Sequence, residues 1–406
     1  MKRNVMLLSL SQALLVTCAS LLFASSPLVG YALAKEKTLA TLPLALMFLT
    51  RMVTTVPASL FMQRFGRRLG FMTSAVFGLA GAVVTTLGIL LSNFSLFCSG
   101  AALLGIPNGF GQFYRFAAAE VASEEFRSRA ISYVLAGGMI AAFAGPNLAR
   151  WSKQLLPDEF AGSYASLIAL YLLSLIIAAL LRTPQPTAVS RVQGSRPLIA
   201  IARQRAYMVA MASAVVGYGA MNFIMIATPL AMKNYAHPFA DTAFVIQWHL
   251  FGMYAPSLFA GHLIRRFGIF NVMLTGILLI AFCIAVNVAG HSISHLWSSM
   301  LLLGIGWNFL FIGATTLLTE SYTVSEKEKA QALNEFMVFG IVALTSFSSG
   351  AAQHDLGWET VNLLVAPFLV LIFIANFWLR HKPHPVDPET KGPFTKGPRD
   401  KTRIKN

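Results

Sequence analysis

Twelve stretches of nearly unbroken apolar residues, separated by short polar segments, organise the chain. Their approximate limits are 5–29, 39–62, 70–91, 95–118, 130–150, 161–181, 206–230, 241–264, 270–290, 296–319, 331–352 and 360–380. Crossing a bilayer core takes about 20 helical residues, and each stretch is of that order. None alternates as a lipid-facing barrel strand must, which leaves the helix as the conformation that satisfies the backbone in hydrocarbon. The pattern predicts an all-α membrane protein with twelve transmembrane helices. Pro57, Pro107, Pro146, Pro229 and Pro256 fall within the runs and mark expected kinks, which membrane helices tolerate. Lys2 and Arg3 before the first run resemble the start of a signal peptide, but the length of that run reads as a first span.

The runs repeat. Arg64-Phe65-Gly66 returns as Arg266-Phe267-Gly268, Leu103-Leu104-Gly105-Ile106 as Leu302-Leu303-Gly304-Ile305, and Glu120 as Glu320, at offsets of 202, 199 and 200. Three matches in one order at nearly one spacing imply two homologous halves. The expected organisation is two pseudo-symmetric six-helix bundles, 1–181 and 206–380, joined by a basic linker at 182–205 and followed by a disordered tail at 381–406. In a membrane chain such duplication marks a carrier with its site between the halves.

Composition narrows the classes. Apolar residues make up 56% and charged residues 12% of 406, and mean hydropathy is +0.65. Soluble domains carry about 25% charged residues. The net charge of +15 raises the question of nucleic acid, but the basic residues sit between apolar runs, which suits loops facing an anionic leaflet and not a nucleic-acid surface. Of the 31 Lys and Arg, 24 flank the spans on the side that carries both termini and five lie on the other side. Positive charge collects on the cytoplasmic face, so both ends are expected in the cytoplasm of a cell (inner or plasma) membrane. Cys18, Cys98 and Cys283 lie within apolar stretches with no metal-like or disulfide-like spacing. No phosphate loop, nucleophile elbow, paired carboxylate or metal cluster is present, and neither an enzyme nor a cofactor is expected. His291 and His295, four apart in a short loop, read as a chance pair.

Gly261-His262-Leu263-Ile264-Arg265-Arg266-Phe267-Gly268 resembles the loop signature of the major facilitator superfamily, Gly-x-Leu-x-Asp-Arg-x-Gly-Arg-Arg. Its counterpart, Ser59 to Arg68, keeps Arg64, Gly66, Arg67 and Arg68. Each copy follows the second span of its half, where that family places it. The family's acid is Gln63 in one copy and Arg265 in the other, and Ser59 stands for its first glycine. The resemblance covers the twelve spans and implies that spans one, four, seven and ten line a central cavity while the third of each triplet faces lipid. It also implies a gating role for the loop, with Arg64, Gly66, Arg67, Arg68, Gly261, Arg266, Gly268 and, as a partner, Glu120 or the Glu124-Glu125 pair. Without the family, the arginines read equally as a positive-inside anchor.

Polar residues inside apolar helices point the same way. Gln12 lies in the first span; Asn108, Gln112 and Arg115 in the fourth; Tyr218 and Asn222 in the seventh; Trp307 and Asn308 in the tenth. All sixteen acids fall in loops, tails or span ends. Arg51 lies at the centre of the second span, and Arg115 about 12 Å from the centre of its own at 1.5 Å per residue. An intramembrane Arg costs about 2.5–3.5 kcal/mol and is a functional hypothesis with a partner to be named. No acid is in sight at depth for Arg51; Arg115 has Glu120 nearby or can snorkel. A guanidinium suits a carboxylate or phosphate. His249 is the one side chain at depth that titrates near neutral pH and is the first choice for proton coupling, followed by Asp241 and Glu335. Gly145-Pro146-Asn147-Leu148-Ala149 partly matches the motif of the family's proton antiporters, and a Pro kink with a small-residue face explains it as well. The expectation is a monomeric, proton- or ion-coupled carrier of a small organic anion or amphiphilic metabolite, working by alternating access. Its rivals are a drug exporter and a transporter-shaped receptor that moves nothing.

Overall fold

The computed structural model describes residues 2–123, 126–183, 196–323 and 326–380. The first half holds α1 (Lys2–Leu33), α2 (Leu42–Phe65), α3 (Arg67–Leu90), α4 (Phe94–Gly111), α5 (Tyr114–Val121), α6 (Arg127–Ser152) and α7 (Ala161–Leu180). A short α8 (Leu198–Ala202) precedes the second half: α9 (Arg205–Asn234), α10 (Phe239–Tyr254), α11 (Ser257–Phe267), α12 (Ile269–Ala289), α13 (Ile293–Thr319), α14 (Lys327–Leu363) and α15 (Ala366–Arg380). Among the described residues ten stretches are long and apolar enough to cross a membrane. One of them, Lys329–Arg380, changes direction at Gly357 and amounts to two spans. The eighth span is broken at Pro256 into α10 and α11, each shorter than a full crossing, so twelve spans result. Four of the five expected kink prolines sit within continuous helices; only Pro256 marks a break. The fourth span also breaks, between α4 and α5 at Gln112 and Phe113, with no proline there.

The repeated Arg-Phe-Gly has a backbone cause. Gly66 closes α2 by donating its N–H to Met62 O (2.9 Å), and α3 starts at the next residue. Gly268 does the same between α11 and α12, donating to Ile264 O (2.8 Å). Their torsions nearly coincide, φ 88° and ψ 160° against φ 85° and ψ 156°. That region belongs almost solely to glycine, so the helices can reverse within one residue only there.

The packing repeats as well. α1 lies on α6 as α9 lies on α14; α2 on α4 as α10 on α13; α3 on α4 and α7 as α12 on α13 and α15. Between halves, α2 meets α14 and α6 meets α10, which are the same two roles exchanged. Small residues let the backbones close: a Cβ on Gly105 would collide with Met47 O, and one on Gly304 with His249 O. Apolar burial drives little association within lipid, so such close approach carries much of the packing.

The halves close on each other toward the end of the bundle away from the termini. Gly350 donates its N–H to Thr41 Oγ1 (3.1 Å), and Asn147 Nδ2 donates to Gln247 Oε1 (2.6 Å). Phe160 meets Phe239 edge-on at 4.8 Å, and Lys233 Nζ sits 3.9 Å from the Tyr31 ring centroid. At the opposite end the two flanks of the linker are each fastened to their own half. Asn4 Nδ2 donates to Arg182 O (2.5 Å). Arg196 grips Glu326 with Nε and Nη2 (2.5 and 2.8 Å), and the backbone N–H groups of Arg196 and Thr323 add two more bonds to that carboxylate. The Arg196 guanidinium holds the Glu326 carboxyl down at about 2. Most of the linker, the tail and the Glu124-Glu125 pair lie outside the described residues.

Candidate substrate cavity

A cavity of ≈ 140 Å³ opens between the halves near mid-depth. Six of the sequence-predicted residues line it: Gln12, Arg51, Asn108, Gln112, Arg115 and Asn222. Helical register explains the grouping. Arg51 is carried by α2 and Arg115 by α5, whose separation from α4 places Gln112 at the break. Asn108 turns its Nδ2 back to Leu104 O (2.9 Å), which satisfies its donor within its own helix. Opposite, the second half contributes Tyr218, Met221, Met225, Met253 and Tyr254. Typical ligand sites measure roughly 300–1,000 Å³. The cavity has room for several waters at about 10–15 Å³ each but not for a drug-sized ligand, which requires the halves to move apart.

The two guanidiniums are held by their faces. Arg51 Cζ lies 4.2 Å from the Phe339 ring centroid on α14, and Arg115 Cζ 4.9 Å from Phe116. Cation–π contacts of this kind contribute about 0.5–2 kcal/mol. Their Nε–H groups are buried and without a protein partner. The expectation that no acid reaches Arg51 at depth is corrected here. Glu335, one helical turn before Phe339 on α14, lies within charge-interaction range of Arg115 and, more weakly, Arg51. Along the chain Glu335 looks like a loop residue at a span end; α14 begins at Lys327 and carries it inward. Glu120 is not the partner of Arg115. It takes a bidentate pair from Arg67, with Nη2 to Oε1 at 2.6 Å and Nε to Oε2 at 3.1 Å, which clips α3 to α5 within one half.

The remaining candidates are placed elsewhere. Asn308 points sideways into the α10–α13 contact, donating to Met253 O (2.7 Å) and Ser257 Oγ (2.6 Å). Trp307 lies behind the lining, stacked on Phe311 at 5.0 Å and edge-on to Tyr218 at 5.1 Å. His249 is fully buried away from the cavity lining, its Nδ1 2.9 Å from Met300 O. Asp241 occupies the first turn of α10 at the far end of the bundle, where a carboxylate complements the helix dipole. Pro146 lies inside α6 next to Gly145, whose missing Cβ leaves room for Thr17, Ser20 and Leu21 of α1; this is the small-residue face. In the loop signature Arg64 and Arg266 are exposed and lie over the rings of Phe65 and Phe267 at 5.3 and 5.4 Å, while Arg68 and Gly261 are open to solvent.

Tyr254 and the three methionines were not singled out by sequence reasoning, because an apolar wall looks like any other membrane helix. The repeat offers a signal: adding the offset of 202 to Arg51 gives Met253. The structure bears that mapping out, since Gly105 abuts Arg51 N and Gly304 abuts Met253 N.

A membrane-embedded twelve-helix bundle of two repeats around a polar cavity defines a carrier. The chain belongs to the Major Facilitator Superfamily, whose sequence pattern matches residues 8–247 and 209–404. It is a transporter and not an enzyme. It is 40% identical over 387 residues to the riboflavin transporter RfnT of Brucella anthropi, covering 94% of this chain and 96% of that one. Two uncharacterised transporters of Bacillus subtilis, YddS and YdeG, are 26% and 24% identical over 373 and 358 residues, covering about 85% of each chain.

Proposed function

We propose that this carrier moves riboflavin or a closely related flavin across the cell membrane. The observation that carries this reading is the 40% identity to a riboflavin transporter along nearly the full length of both chains. The cavity composition supports it. A flat, electron-poor ring finds tyrosines and soft methionine sulfurs on one wall, and hydroxyls and carbonyls find guanidinium and amide groups on the other. The organic anion expected from Arg51 and Arg115 alone becomes the second reading, because the Glu335 carboxyl lies within charge-interaction range of both guanidiniums. Transport proceeds by rocking of the halves, with the closed end facing outward and both termini in the cytoplasm, as the distribution of basic residues supports.

Coupling, in this reading, uses Glu335. It lies within charge-interaction range of Arg115 on α5, Arg51 on α2 and Tyr218 on α9, so its protonation changes the charge across the interface between halves. The test is uptake by reconstituted vesicles. Riboflavin accumulates, an imposed pH gradient drives it, and Arg51→Gln lowers the initial rate at least tenfold. Glu335→Gln abolishes the response to the gradient. Vesicles that take up no riboflavin sink the substrate reading, and an unaltered gradient response in Glu335→Gln sinks the coupling.

A further inference from the structure

A second cavity, of ≈ 320 Å³, lies at the end of the bundle away from the termini, where the halves close on each other. It has more than twice the volume of the central one and falls within the roughly 300–1,000 Å³ of a small-molecule site. Leu28 and Leu33 of α1 and Phe160 wall it from the first half, and Pro229 and Phe239 from the second. Because both halves supply the lining, the cavity has this form only while that end is closed.

Its charges stand out against the side of the chain they occupy. Only five of the 31 Lys and Arg lie on the side opposite the termini. Two of those five, Lys153 of the first half and Lys233 of the second, line this cavity. A third, Lys37, lies within charge-interaction range of Lys233 and donates its Nζ to Tyr31 O (2.6 Å) and Ala34 O (2.8 Å). Rings hold the two lining ammoniums in place. Lys153 Nζ lies 5.1 and 5.2 Å from the centroids of Phe160 and Phe239, one ring from each half, and Lys233 Nζ 3.9 Å from that of Tyr31. Of the lining residues only Glu159 carries a carboxylate, and it pairs with Lys153 at 2.6 Å. His237, the remaining titratable side chain of the lining, has its Nε2 2.9 Å from His291 O. Three ammoniums against one carboxylate leave the vestibule positive above an apolar floor.

We propose that this vestibule is a second binding site, separate from the central cavity, for a small organic anion with a flat apolar body. The site goes beyond the flavin reading and does not depend on it. The anionic group sits between Lys153 and Lys233 and takes charge-assisted hydrogen bonds from both halves. The flat body covers the aliphatic wall of α1 and the rings of Phe160 and Phe239. Each simpler ligand meets half of the lining. A cation is repelled by the ammoniums, and a neutral ring leaves their charge uncompensated. A bare inorganic anion leaves the apolar floor to water. A phospholipid headgroup shares the charge chemistry but arrives from the bilayer, whereas the proposed ligand arrives through water.

The experiment titrates the purified full-length protein, in a maltoside detergent, with 1-naphthyl phosphate, 1-naphthol and inorganic phosphate, reading binding by calorimetry. The first carries both the ring and the charge; the others carry one each. 1-Naphthyl phosphate is expected to bind at least about tenfold more tightly than either. The double substitution Lys153→Gln with Lys233→Gln weakens it by at least about tenfold, while Arg51→Gln in the central cavity changes it by less than about twofold. If the double variant does not fold, the wild-type ligand series and Arg51→Gln still decide. Inorganic phosphate or 1-naphthol binding as tightly as 1-naphthyl phosphate overturns the proposal. So does loss of binding in Arg51→Gln with retention in the lysine variant, which moves the anion to the central cavity. Added phosphatidylglycerol is expected to leave the affinity unchanged; its abolishing the binding overturns the water-borne ligand in favour of a lipid phosphate. None of these outcomes bears on riboflavin uptake, which tests the flavin reading by itself.

Discussion

The two halves share a frame and divide the chemistry. Gly66 and Gly268 turn their chains with nearly the same torsions, and Gly105 and Gly304 press against equivalent carbonyls. At the cavity the equivalences end in different side chains. Arg51 there corresponds to Met253, while Met47 and His249, and Gly109 and Asn308, are equivalent pairs that lie outside the lining. The first half supplies cations and amides, and the second a tyrosine–methionine wall and one amide, with Glu335 within charge-interaction range of the cations. A duplicated scaffold constrains positions where backbones touch, and leaves free those that face the cavity. Asymmetry in such a carrier is therefore where substrate recognition resides.

The sharpest way to break this comparison is to attack the shared frame. Gly105→Ala and Gly304→Ala each place a methyl against a backbone carbonyl that cannot swing away, and each should destabilise by about 1–3 kcal/mol. Thermal unfolding of the purified variants measures this. Similar losses confirm that the two contacts are equivalent, and tolerance of one alone would separate them.

A smaller effect is expected where the halves have diverged without touching the cavity. His249→Met gives His249 the residue its counterpart Met47 already has, and removes one bond to Met300 O along with the unpartnered Nε2. Flavin uptake and its pH-gradient response should stay within about threefold of wild type, since a net hydrogen bond contributes about 0.5–1.5 kcal/mol. Loss of the gradient response would return proton coupling to His249.

The smallest effect concerns the Arg196–Glu326 pair of the second half. Glu326 is held below its usual value of 4.5, at about 2, by Arg196. A depressed carboxyl stabilises the fold above its unfolded value, and that stability is lost as pH falls from about 4.5 toward 2. Arg196 is 47% exposed, so the pair is screened and contributes no more than about 1 kcal/mol. Wild type should unfold slightly above Glu326→Gln at pH 7, with the gap closing near pH 2. A gap that persists at low pH would assign the role of Glu326 to packing instead.

The frame was legible along the chain because its determinants are local. An apolar run announces a membrane helix, and Arg-Phe-Gly announces a break that glycine alone permits. Six of eight predicted cavity residues also line the cavity, because polar groups are expensive in hydrocarbon and stand out. What stayed hidden depends on packing. Asn308 is as polar as Asn222, and only the crossing of α10 over α13 turns it aside. His249 looked functional for its titration, while the carbonyl that occupies it comes from 51 residues away. Glu335 looked peripheral because its depth is set by where α14 starts, several residues before the apolar run. Tyr254 and Met253 carry no signal in an apolar span except through the repeat.

The two fastened flanks of the linker bear on how the molecule could be cut. Arg182 belongs to the first bundle through Asn4, and Arg196 to the second through Glu326, so only the stretch between them joins the bundles covalently. At 3.3–3.6 Å per residue, those fourteen steps reach about 45–50 Å when extended, several times the 8–10 Å that separates packed helices. Two polypeptides severed between Arg182 and Arg196 would each keep their own end in place, and are expected to meet again in the bilayer as a working pair.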